Sequence, residues 1–214
     1  VQAGPVPSEQ ATTQDARCQL DAVVVDGEFM RDAHAVWLQW VATPDWRSAY
    51  PAMKSTINEE KDRMEEAAVA ERKHLVIPQT MLKLGKGLSD LRRLTTLGYT
   101  NHVLAVVAPL ADCQRRGSMR EQRTGKRYQP LEFERSIQAI PSVIEACNGR
   151  YEVVEAFEQS EGPEQRMSCR ILCHGPCGAS APLQDLNTPE SVFDKEEISR
   201  TISETIGSAA VEVA

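Results

Sequence analysis

Short apolar runs, each set apart by a stretch with helical spacing, constrain this chain more than any other feature. Ala22-Val23-Val24-Val25, His74-Leu75-Val76-Ile77, His102 to Ala108 and Tyr151 to Phe157 are rich in β-branched residues and bounded by turn residues. Near-continuous apolar runs of this length are the mark of strands buried on both faces, as in parallel sheets. Strands joined by helical crossovers return to the same sheet and place helices over it. The expected fold class is therefore α/β, a three-layer parallel sheet with helices on both faces.

The segments between the runs carry the helices. From Phe29 to about Val41 the apolar residues Met30, Ala33, Val36, Trp37 and Trp40 fall on one side, and Thr43-Pro44-Asp45 breaks the pattern. Residues from about Ala52 to Lys73 are dense in Glu, Lys, Met and Ala, good helix formers whose alternating charges read as a solvated face. Leu82 to Leu97 predicts a third helix closed by Gly98, and Leu131 to Cys147 a fourth, bent at Pro141. Asn148-Gly149 then turns the chain into its last apolar run. Residues 1–20 show no periodicity and read as an extended arm, and 21–158 as the folded domain. Residues 159–214 read as a C-terminal tail with a Cys-rich turn and a late helix from about Pro189 to Ile206.

The formal net charge of −7 argues against a general nucleic-acid binder, since phosphate affinity needs a cationic surface. No apolar stretch approaches the roughly 18–20 residues that span a bilayer. Six cysteines in 214 residues do not make a disulfide scaffold. The first residue is Val1, with no charged-then-apolar segment after it. This fits a processed, organelle-imported protein, and a mitochondrion or plastid is the expected compartment.

In open parallel sheets, ligands sit beyond the carboxyl ends of the strands. After the first run stands Asp26-Gly27-Glu28-Phe29-Met30-Arg31-Asp32-Ala33-His34. It resembles the Asp-x-Asp-x-x-Arg-x-x-His signature of zeta-toxin and related sugar-nucleotide kinases, members of the P-loop kinase fold. Further along, Ala70-Glu71-Arg72-Lys73 leads into a run closed by Thr80. Leu97-Gly98-Tyr99 before His102 to Pro109 resembles the step to the family's next strand. Arg116, Arg120, Thr124-Gly125-Lys126 and the helix carrying Ser136 and Ile137 resemble its lid. The likeness covers about residues 22–157. It implies Asp26 and Glu28 at the general-base positions, vestigial in this chain. It also implies Arg31 and Thr80 as substrate contacts, and Arg116, Arg120, Arg123 and Lys126 as nucleotide ligands. The other reading of these residues is structural: Asp26 caps the next helix, Arg31 pairs with a neighbouring acid, and the basic stretch faces a partner.

The departures from the family bear on function. A general base must lie within hydrogen-bond reach of its proton, and the extra methylene of Glu28 moves its carboxylate by about 1 Å. Pro78-Gln79-Thr80 stands where the family has Glu-Gly-Thr, so the substrate-holding acid is gone. No Gly-x-x-x-x-Gly-Lys-Ser/Thr run occurs, although phosphoryl transfer needs that nest of N–H groups and its Lys. With the loop goes the family's central strand, which lies between the counterparts of 74–78 and 102–108. Its loss leaves two strand edges with unpaired backbone groups, which a separate chain, the arm or direct pairing must satisfy.

Cys169, Cys173, His174 and Cys177 form the one metal-like cluster in the sequence. Thiolates and an imidazole this close can bind zinc, but the spacing is not a standard one. A disulfide and free thiols in a packed loop are the other readings. His34 and His102 read as structural histidines, and Trp37, Trp40 and Trp46 as core or interface cover. The functional expectation is a non-catalytic, pseudokinase-like accessory subunit of a larger protein assembly, of the organellar membrane kind. It needs no cofactor, makes no specific nucleic-acid contact and reaches a membrane only through partners. The alternative is an active zeta-toxin-like small-molecule or sugar-nucleotide kinase whose phosphate loop lies on a removed or separate segment. That enzyme would need ATP and magnesium.

Overall fold

A computed structural model of the chain describes residues 21–159, 166–177 and 194–208. The expected arm at 1–20, the tail segment 178–193 with the start of the late helix, and residues 209–214 lie outside the described residues. The fold is mixed α/β, and the chain divides into two compact units, Val1–Gln79 with Arg123–Lys126, and Thr80–Gln122 with Arg127–Ala214.

The first unit opens with β1 (Ala22–Val24), followed by α1 (Gly27–Ala33), α2 (Ala35–Val41), α3 (Trp46–Ala70) and β2 (His74–Val76). β1 and β2 pair in parallel, with Ala22 opposite His74 and Val24 opposite Val76. The single helix expected from Phe29 to Val41 is broken at His34, whose backbone is extended at φ −89 and ψ 115. Its N–H still closes the first helix on the Arg31 carbonyl, at 2.9 Å. α3 starts earlier than its composition indicated and runs through Pro51. Proline has no N–H, so the Arg47 carbonyl loses its i+4 donor there. Gly125, at φ +71, packs against that turn, and a Cβ on it would stand 2.9 Å from the Arg47 oxygen. The core of this unit is helical: Trp37, Ala49, Met53 and Ile57 are buried, with Met30, Trp40, Val41 and Tyr50 against them.

The second unit contains α4 (Leu84–Thr96), β3 (Val103–Val107), α5 (Leu110–Thr124, its last two residues grouping with the first unit) and α6 (Pro130–Ala146). It continues through β4 (Arg150–Gln159), β5 (Arg166–Pro176) and α7 (Lys195–Ser208). α4 stops as expected at Gly98, where the Tyr99 N–H closes on the Leu94 carbonyl at 3.0 Å. The polar, basic segment from Gln114 to Gln129 is helical as far as Thr124, which its composition did not show. β3 pairs with β4 in parallel, and β4 with β5 antiparallel, with a register irregularity between Val153 and Val154.

The described strands and core differ from expectation at four points. The strands form two small sheets, β1–β2 and β3–β4–β5, and the second contains an antiparallel pair. The boundary at 158/159 cuts the β4–β5 ladder, in which Glu158 pairs with Met167 and Gln159 with Arg166. Two described parts of the supposed tail belong to the core: Cys177, after β5, and Ile198 and Ile202 of α7 are buried with Ala105, Val107, Ile144, Tyr151 and Val153. Finally, among the described residues the β3 run is covered on one face. Ala105 and Val107 point into that core, while Leu104 and Val106 are 65% and 58% exposed. The alternation follows from the period-2 geometry of a strand, with helices α4, α6 and α7 all contributing to the same side.

Candidate functional site

Asp26 follows β1 and ends the extended segment at φ −120. Its Oδ1 accepts a hydrogen bond from the Glu28 N–H at 2.8 Å, which makes it the N-cap of α1. Capping satisfies a donor that the first helical turn leaves without a partner. The structural reading of Asp26 is thus realised. Glu28 lies in the first turn of α1, with its side chain exposed.

Arg31 does something the sequence did not indicate. Its guanidinium lies over two aromatic rings, 5.5 Å from the Trp37 centroid and 5.1 Å from that of Tyr50. Lys126 reaches the same Tyr50 ring, with its Nζ 5.9 Å from the centroid. Two of the cations proposed from sequence are therefore brought together on one tyrosine, within the first unit. A cation over a ring face is attracted by the ring quadrupole, by about 0.5–1 kcal/mol at exposed sites. The Gly27 backbone lies close by, and a Cβ on it would meet the Ile57 methyl at 3.1 Å and an Arg31 Nη at 3.3 Å. The arrangement stiffens two cationic side chains. It supplies no nucleophile and no nest of backbone N–H groups.

The other residues proposed from sequence are divided between the two units. Arg123 is exposed in the first unit. Thr80, Arg116 and Arg120 belong to the second, Thr80 and Arg120 with exposed side chains. Arg116 faces Asp112 one helical turn back, 3.7 Å away, and Arg115 reaches the same carboxylate at 3.5 Å. Pro78 is exposed after β2.

The Cys-rich segment is β5 rather than a loop. Cys169 pairs with Ala156, Cys173 with Val153 and His174 with Glu152. A strand advances about 3.3 Å per residue and sends neighbours to opposite faces, so these ligands are strung out and not gathered. Among the described residues no group of three or more His, Cys, Asp or Glu side chains is arranged to hold a metal ion. Burial holds the Cys173 thiol above its usual range. His102 is structural as expected: its Nδ1 accepts the Arg150 N–H at 3.1 Å.

Sequence reasoning missed Tyr50 and Cys147. Tyr50 sits nineteen residues beyond Arg31 (50 − 31), on another helix, and no local spacing links them. Cys147 is the C-cap of α6 and in the sequence stands out only as the end of that helix. No helix among the described residues is long and apolar enough to cross a membrane. Comparisons of the chain with protein-family models, with curated proteins and with solved structures find no match in any of the three.

Proposed function

We propose that this chain is a non-catalytic protein-binding subunit, built on a kinase-like α/β fold that lacks its phosphate-loop strand. The observation that carries the reading is the pairing of β2 and β3. Among the described residues each pairs on one side only, β2 with β1 and β3 with β4. These are the two strands that flank the lost central strand in the zeta-toxin resemblance. An open strand edge carries unpaired N–H and C=O groups and is a template for strand addition by another polypeptide. On β3 the edge adjoins exposed Leu104 and Val106, side chains suited to an apolar partner segment.

The residues a kinase would need support the same reading. Asp26 is occupied as a cap, Arg31 and Lys126 are stacked on Tyr50, and Arg116 faces Asp112. A larger, organellar protein assembly is the host this reading names, with membrane contact made through partners.

Calorimetry of the full chain with Mg-ATP separates this proposal from an active zeta-toxin-like kinase. No heat of binding is expected, and saturable binding at micromolar concentration overturns the proposal. Native sizing of the tagged chain from its own cells tests the positive claim. The chain is expected in a particle well above its 23.7 kDa. Leu104→Lys with Val106→Lys is expected to release it as a free subunit.

A further inference from the structure

We propose that Cys147 and Cys177 are a disulfide-forming pair that staples the end of α6 to the end of β5. Five cysteines lie among the described residues, all as free thiols. Cys147 is the C-cap of α6, and its N–H bonds to the Ile144 carbonyl. The Asn148-Gly149 turn follows and leads into β4. Arg150 pairs with Pro176 at the end of the β4–β5 ladder. One step further, the Cys177 N–H donates to the Gly149 carbonyl at 2.8 Å. The ladder thus delivers Cys177 to the turn that begins at Cys147. Both side chains are buried, 4% and 0% exposed, in one core cluster with Ile144, Tyr151, Val153 and Ile198.

Inside that cluster the two thiols are hydrogen-bond partners of one another. The bond holds the Cys147 thiol below its usual range and pushes that of Cys177 up, with burial adding to the second effect. The thiolate is the reactive form in disulfide exchange.

The fold also selects against the pairings the sequence suggested. Disulfides need Cα atoms within about 7 Å. Cys173 lies four residues from Cys177 along an extended strand, roughly 13 Å away, and Cys169 is twice as far. Cys113 is engaged elsewhere, with its Sγ 3.8 Å from the Ala108 carbonyl.

The chemistry is thiol–disulfide exchange with a small disulfide oxidant of the oxidised-glutathione class. The Cys147 thiolate attacks one sulfur of the oxidant. The oxidant's S–S bond breaks, one thiolate leaves and takes up a proton, and a mixed disulfide remains on Cys147. Cys177, losing its proton to solvent, attacks the Cys147 sulfur and expels the second thiolate. Two protein thiols are oxidised and one oxidant disulfide is reduced to two thiols. Because both sulfurs are buried, the oxidant reaches them only when this end of the core opens. The reaction is slow, and the product resists reductant.

The test is to incubate the native full chain with oxidised glutathione, then denature it, alkylate it and map the peptides by mass spectrometry. The expected product is one cross-linked peptide pair, Cys147 with Cys177, about 2 Da lighter than the two free thiols. Cys113, Cys169 and Cys173 are expected to be alkylated or glutathionylated singly. Recovery of Cys147 and Cys177 both singly alkylated after prolonged incubation overturns the proposal. So does a bond from Cys177 to Cys173 or Cys169. In a second arm, Cys169→Ser is expected to keep the linked pair, and Cys147→Ser to abolish it. The wild-type map decides the matter even where Cys147→Ser does not fold.

Discussion

The first unit builds its core almost wholly from helices, around Trp37, Ala49, Met53 and Ile57, and carries a sheet of only two strands with three residues each. The second unit seats a three-stranded sheet against α4, α6 and α7 and buries Ile144, Val153 and Ile202 to about 1% exposure or less. Two-stranded sheets are marginal without further packing. The first unit therefore depends on its helical core, in which Trp37 packs with Ala49, Met53 and Ile57. The second draws on aliphatic side chains from six elements, many of them distant in sequence. The same kind of apolar run has given a minimal ladder in one unit and the floor of a large core in the other.

The comparison breaks most readily at the core residues. Trp37→Ala is expected to cost the first unit about 3–5 kcal/mol, and Ile202→Ala to cost the second about 2–5 kcal/mol. Hydrogen exchange of the β1–β2 and β3–β5 amides, together with urea unfolding, reads each loss. Loss of protection in β3–β5 that exceeds the loss in β1–β2 on replacing Trp37 would show that the first core is not where its burial places it.

Next in size is Gly149→Ala. A Cβ there would stand 2.7 Å from the Asn101 oxygen and 2.9 Å from His102 Nδ1, and backbone does not yield as a side-chain tip does. A loss of roughly 1–3 kcal/mol is expected from urea unfolding, in the range of substitutions that strain a tight backbone contact.

The cap is smaller. Asp26→Ala should cost about 1 kcal/mol, and Asp26→Asn much less, since asparagine caps equally well. A general base would show the opposite pattern in an activity assay, with asparagine as damaging as alanine. The pair of variants thus sharpens the contrast between structural and chemical use of this residue.

The smallest effect is the ion pair at the entry to the first sheet. Lys73 Nζ lies 2.7 Å from Asp21, one residue before the paired Ala22 and His74. The lysine's hydrogen bond holds the Asp21 carboxyl below its usual range, and Lys73 is raised in turn. The contribution is present between the two ranges. It is lost as pH falls through the lowered carboxylate value or rises through the raised lysine value. The pair is exposed, so salt should erase most of it. A Lys73→Ala variant with the pH and salt profile of the wild type would show that the pair contributes nothing.

Legibility from sequence divided along physical lines. The β1, β2, β3 and β4 runs, the helix stop at Gly98, the turn at Asn148-Gly149 and the Asp26 cap were all readable. Each rests on local preferences or periodicity within a few residues. The break at His34 was hidden because the apolar pattern continues smoothly across it. β5 was read as a Cys-rich turn because its alternation is interrupted by polar and charged residues, and its ladder with β4 supplies the order instead. In the site, Asp26 was legible as a cap, whereas the Arg31–Tyr50–Lys126 cluster joins three distant segments and left no local trace.

The sequence by itself determined an α/β chain of acidic charge, with no Gly-x-x-x-x-Gly-Lys-Ser/Thr run in it. Those are properties of composition and local spacing. Only the tertiary structure decided that, among the described residues, β2 and β3 each pair on one side, that Leu104 and Val106 stay exposed and that Cys177 and Cys147 share one buried cluster. Pairing, face and partner are set by residues far apart in the chain, through ladders and burial that no single window of sequence contains.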